Sequence, residues 1–212
     1  MKYLKHLFIC IILSYISPYN AQEITRASTK IEIIKRRIKA AKTDTTKIKL
    51  LQQWSDLVFI SNPEKDLDIQ QQVIDICVEH LKSEKIPYLQ KWFLEQESMA
   101  LDKTATSYYY EGEDQKALKF YTASSKILED LANDNLLSID NTYLLSTTCN
   151  KIARMYEGEG NFKNALNYYQ KSMRLESEVQ AQRAKQQNIQ HVKDSILFCL
   201  LYTSPSPRDF EA

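Results

Sequence analysis

Between Asp44 and Ile60 the apolar residues Ile48, Leu51, Trp54, Leu57 and Val58 recur every three or four positions. That spacing lines one face of an α-helix and predicts one over this stretch. A second helix is predicted from about Thr29 to Lys42, where Ile33, Ile34 and Ile38 alternate with Lys35, Arg36, Arg37 and Lys39. The basic residues read as a solvated face behind a buried isoleucine stripe. Asn62-Pro63 reads as a helix N-cap followed by proline in the first turn. Glu176 to Lys193 is polar and unbroken, and Ser195-Ile196-Leu197-Phe198 then turns apolar. The chain has three glycines and five prolines in 212 residues, where average usage gives roughly fifteen glycines. So few chain-breakers predict long helices and an all-α fold.

A shift of 48 positions superposes two segments: Tyr108, Glu111, Gly112, Ala117, Leu118, Tyr121 and Ser124 fall on Tyr156, Glu159, Gly160, Ala165, Leu166, Tyr169 and Ser172. Seven identities at one offset indicate a duplicated unit. Each position has a physical sense. Tyr108 and Tyr156 lie on the apolar face of a first helix. All three glycines (112, 158 and 160) fall where the chain leaves that helix, and glycine accepts the left-handed conformation that ends it. Ala117 and Ala165 are small where two antiparallel helices cross. Tyr121 and Tyr169 follow four residues later on the same face, and Ser124 and Ser172 continue it. A divergent third copy lies upstream, with Asp66 in the frame of the alanine and Gln70 in that of the tyrosine.

The frame Tyr…Gly…Ala-x3-Tyr-x2-small resembles the tetratricopeptide repeat. The resemblance implies a right-handed α-solenoid of antiparallel helix pairs, with repeats at approximately 47–80, 98–131 and 146–179 inside a region 44–180. A capping helix would occupy 22–43 and a polar helix 181–198. The usual period is about 34 residues, so the wider spacing here implies longer helices. The family's groove positions, carried across one at a time, are Asp102, Thr106, Tyr109 and Tyr110 in the middle repeat and Asn150 and Arg154 in the last. Such residues suit a protein or peptide ligand. Three adjacent tyrosines cannot all face one way, so one of them is expected to pack between repeats.

With Asp-Thr-Thr-Lys (44–47) ahead of the repeats, the chain also resembles the sensory halves of bacterial membrane-anchored signalling proteins. There the repeats follow a signal peptide and precede a membrane helix and an output domain, such as a histidine kinase or a phosphatase. Gln187-Asn188-Ile189-Gln190 resembles the segment before that membrane helix, which would place its first turn at Ile196. Three readings stand open: a sensory or scaffold array in a truncated signal-transduction protein, a complete secreted or periplasmic adaptor, and a fragment whose missing part is catalytic.

Both ends of the chain bear on this. Lys2 and Lys5, the apolar run Leu7 to Ile16, Pro18 and Ala21 read as a signal peptide over 1–21, with an uncleaved anchor as the alternative. The run is shorter than the roughly 20 residues of a spanning helix. At the other end, residues 199–209, Cys-Leu-Leu-Tyr-Thr-Ser-Pro-Ser-Pro-Arg-Asp, resemble the conceptual translation of an adapter used in preparing sequencing libraries. Residues 199–212 are therefore expected to be non-native, with native sequence stopping near Phe198.

Composition argues against several functions. Taking Lys2, Lys5 and Arg208 from the 28 basic residues, and Asp209 and Glu211 from the 27 acidic ones, leaves 25 of each. A neutral body gives no argument for nucleic acid as a partner. Cys77 and Cys149 sit in apolar helical patterns and read as buried thiols, a disulfide being the alternative. No phosphate loop, His-Glu-x-x-His, Cys-x-x-Cys or Gly-x-Ser-x-Gly occurs. His80 and His191 stand on separate helices without further ligands, and the pairs Glu111/Glu113 and Glu157/Glu159 read as solvated turn residues. No catalytic, cofactor or metal residue is assigned, and the oligomeric state is left open.

Overall fold

The computed structural model describes residues 28–203, with side chains as far as 197. The signal segment 1–21 and the last part of the adapter-like tail, 204–212, lie outside the described residues. Among the described residues the protein is all-α, with seven helices and no strand. They are α1 (28–40), α2 (Asp44–Val58), α3 (Pro63–Ser83), α4 (Pro87–Tyr110), α5 (Asp114–Asn133), α6 (Ile139–Gly158) and α7 (Phe162–Thr203). The chain divides into two compact units, Met1–Glu113 and Asp114–Ala212.

In the first unit, local chemistry sets the helix ends. The Thr43 side chain caps α2 by accepting from the Thr46 amide. Asn62 caps α3 through the Lys65 amide at 3.0 Å, with Pro63 directly after it. Pro87 opens α4, eleven residues before the expected repeat start at 98, because its fixed φ suits the first helical position. The core brings Ile48, Leu51 and Val58 of α2 against Ile69, Val73 and Cys77 of α3 and Phe93 and Ala100 of α4. Each of the larger aliphatic and aromatic side chains here contributes about 1.5–3 kcal/mol on burial.

The expected stripe on α1 needs correction. Ile31, Ile34 and Ile38 turn inward, the i, i+3, i+7 positions of one face, while Ile33 is half exposed because it lies off that line. In the divergent copy, Asp66 and Gln70 are fully buried. Gln70 Nε2 donates to Ser55 Oγ at 2.7 Å and to Asp66 Oδ1 at 3.1 Å, so a polar network stands where the other copies have alanine and tyrosine. His80 also contacts both neighbouring helices. Its ring stacks on Phe93 with centroids 4.4 Å apart, and its Nε2 meets Asp44 Oδ2 at 2.6 Å, tying the start of α2 to the end of α3.

In the second unit, Leu128, Leu145, Cys149 and Leu175 form a core shared by α5, α6 and α7. Ser138 caps α6 through the Asn141 amide. Ser146 of α6 and Ser172 of α7 meet through their hydroxyls at 3.2 Å, and Ala165 is buried. The expected last repeat helix and the polar helix 181–198 are one helix, α7. No glycine or proline interrupts residues 162–203. Among the described residues no helix is long and apolar enough to cross a membrane.

Gly112 (φ 76°) and Gly160 (φ 74°) take the left-handed conformation expected of them. The Gly112 amide donates to the Tyr109 carbonyl and the Glu113 amide to that of Tyr108; Gly160 and Asn161 repeat this onto Glu157 and Tyr156. This is the Schellman arrangement that satisfies the last carbonyls of a helix. Gly158 does not share the role, since it is the last residue of α6 itself. A third turn of the same kind has Asn135 (φ 56°) in the glycine position, closing α5.

Candidate functional site

The C-terminal end of α4 carries four of the six groove candidates. Asp102 is buried at 6 % exposure and so does not form part of an open surface. Thr106, one turn on, is half-buried and its hydroxyl donates to the Asp102 carbonyl at 2.8 Å. Tyr108 is half-buried, while Tyr109 and Tyr110 are exposed, Tyr110 at 76 %. The rings of Tyr109 and Tyr110 meet edge to face at 5.9 Å. The three adjacent tyrosines thus separate as helical geometry requires, 100° apart around the axis.

Tyr110 forms one wall of a cleft of about 430 Å³, lined also by Phe59, Ile60, Pro63, Ser107 and Glu111. The turn after α2 and the first residue of α3 supply Phe59, Ile60 and Pro63, and the end of α4 the rest. Ile60 protrudes at 91 % exposure, because α2 stops at Val58 and Asn62 must begin α3. Sequence reasoning carried the α2 pattern on to Ile60 and missed this wall. The available signal was two large apolar residues, Phe59-Ile60, directly ahead of an Asn-Pro cap.

Ser107 is the unusual member. It is 3 % exposed, and its hydroxyl has no hydrogen-bond partner among the described residues. The hydroxyls of Ser98, Thr104 and Thr106 on the same helix all return to carbonyls of α4. A buried polar group left unpaired costs about 1–3 kcal/mol, so its position in a cleft wall is informative.

The remaining candidates belong to the second unit. Asn150 and Arg154 are exposed on α6, one helical turn apart. Near Arg154, the Tyr169 hydroxyl donates to Glu157 Oε2 at 2.6 Å, and this bond to a carboxylate raises the phenol's pKa, partly offset by the Arg154 charge. Glu159 accepts from Gln115 Nε2 at 2.6 Å, so both carboxylates beside this turn are used in local contacts. Among the described residues no group of three or more His, Cys, Asp and Glu side chains is arranged to hold a metal. Cys77 and Cys149 are buried and form no disulfide.

No protein-family model matches the chain, and no curated protein matches it. Among solved structures the chain is similar to BtubC (BKLC) from P. vanneervenii, with a TM-score of 0.51 and 17 % identity over 72 % of this chain. It spans about half of that protein, 55 % of its length. A likeness at this identity concerns the helical fold alone.

Proposed function

We propose that this chain is a tetratricopeptide-type solenoid that binds a protein or peptide, and that it is the exported sensory or scaffold part of a bacterial signal-transduction protein. The observation that carries the binding reading is the cleft at the end of α4. There an exposed tyrosine, a protruding isoleucine and Ser107, whose buried hydroxyl is unpaired among the described residues, line one concave site. Binding sites of this kind are mostly apolar, with few polar groups to set orientation. The repeat reading is supported by two glycine turns of the same geometry, 48 residues apart, each followed by a helix with a buried alanine at the same position.

The experiment is selection from a random-sequence peptide display library on the immobilised chain, followed by affinity measurement. Enriched peptides are expected to lose about tenfold or more in affinity on Tyr110→Ala, the loss typical of an aromatic anchor. A library that yields no enriched peptide, or peptides indifferent to Tyr110→Ala and Arg154→Ala alike, would count against the proposal.

A further inference from the structure

We infer that the cleft at the end of α4 holds an apolar side chain of an extended peptide whose next residue is basic; this rests on the peptide-binding reading above. The walls decide the first part. Phe59, Ile60, Pro63 and Tyr110 present carbon surface, and Ile60 and Tyr110 are strongly exposed. At about 430 Å³ the space lies near the small end of ligand pockets, about 300–1,000 Å³. It suits one large side chain with a piece of its backbone.

Ser107 decides how that backbone lies. Ser107 lines the cleft, and its buried hydroxyl has no partner among the described residues, unlike its neighbours on α4. Rotation about its Cα–Cβ bond turns this hydroxyl to the cleft surface, where it donates to a peptide carbonyl. The rim decides the following residue. Glu111 lines the cleft and no lysine or arginine does. Glu64, beside Pro63, is exposed as well, and Lys65 is paired with Asp68 at 3.0 Å. A cation leaving the cleft therefore meets an anionic edge.

The test uses the full chain and fluorescein-labelled hexapeptides with a Gly-Ser frame carrying Leu-Lys, Leu-Glu or Ala-Lys at the centre, read by fluorescence anisotropy. Leu-Lys is expected to bind about tenfold tighter than either other peptide, a difference typical of one good contact. Glu111→Gln should bring Leu-Lys and Leu-Glu to within about twofold of each other. Ser107→Ala should weaken Leu-Lys by about fivefold while leaving the thermal midpoint unchanged or higher, since it removes an unpaired group. Equal binding of Leu-Lys and Leu-Glu, or full affinity after Ser107→Ala, overturns the inference. Library peptides that bind through Arg154 and ignore Glu111→Gln overturn it while the peptide-binding reading stands. Absence of any bound peptide overturns both.

Discussion

The hydroxyl of Ser146 donates to the backbone carbonyl of Ser172 at 3.0 Å, with both serines buried, so α6 and α7 cross on a pair of small polar side chains. A side chain larger than serine has no room between the two backbones. Ser172→Leu is expected to destabilise the protein by about 1–3 kcal/mol through over-packing, with a fall of several degrees in thermal midpoint by circular dichroism. Ala117→Leu and Ala165→Leu are expected to do the same, since both alanines are buried. Unchanged midpoints in both alanine variants would contradict the repeat register.

The three glycines should respond with opposite signs. A Cβ at Gly112 or Gly160 meets nothing within 4 Å, so the cost of alanine there is conformational only, about 1–2 kcal/mol. Asparagine should cost less at both, because Asn135 already occupies the equivalent position with φ 56°. Gly158 is the last helical residue of α6, in open space, and Gly158→Ala should stabilise by up to about 0.5–1 kcal/mol. Chemical denaturation of the five variants ranks them.

The buried polar network of α3 predicts non-additive effects. Gln70→Leu removes the partner of Asp66 Oδ1, while Asp66 Oδ2 has none already. A loss of about 1–3 kcal/mol is expected. The pair Asp66→Ala with Gln70→Tyr, which restores the alanine and tyrosine of the other copies, should recover part of it. A double-mutant cycle by urea unfolding gives the coupling.

Burial pushes the Cys77 thiol up to about 12 and the Cys149 thiol up to about 11, from an ordinary value of 9.0. Below pH 9.0 both states keep these protons; above it the unfolded chain releases them and the folded chain does not. Their contribution to stability is therefore full below pH 9.0 and is lost as pH rises towards 11 and 12. A Cys77→Ala/Cys149→Ala variant should show a shallower fall in denaturation midpoint across that window. In the native protein both thiols should resist a disulfide reagent until denaturant is added.

Much of this architecture was legible from the chain. Helices begin where the capping chemistry lies, at Asn62-Pro63, and end where Gly112 and Gly160 permit a left-handed residue. These are local preferences that hold in any surroundings. The Asn135 turn was less visible, because asparagine adopts that conformation only when the rest of the turn favours it. The cleft was hidden for a different reason. Tyr110 was legible as a candidate on α4, but Phe59 and Ile60 reach it from a turn some fifty residues earlier, and spacing along one helix carries no trace of such a meeting.

The duplication marks the remaining limit. At an offset of 48 the sequence presents Tyr121 and Tyr169 as equivalent, and likewise Leu118 and Leu166. In the second unit they are not. Tyr121 is buried with Lys151 of α6 over its ring, whereas Tyr169 is half-buried and Leu166 exposed. By itself the sequence determined the helices, their caps and the small residues at their crossings, since these follow from backbone preference and from periodicity within a single element. Only the tertiary structure decided which copies of a repeated face are covered, because burial depends on the neighbour that arrives and not on the residues that wait for it.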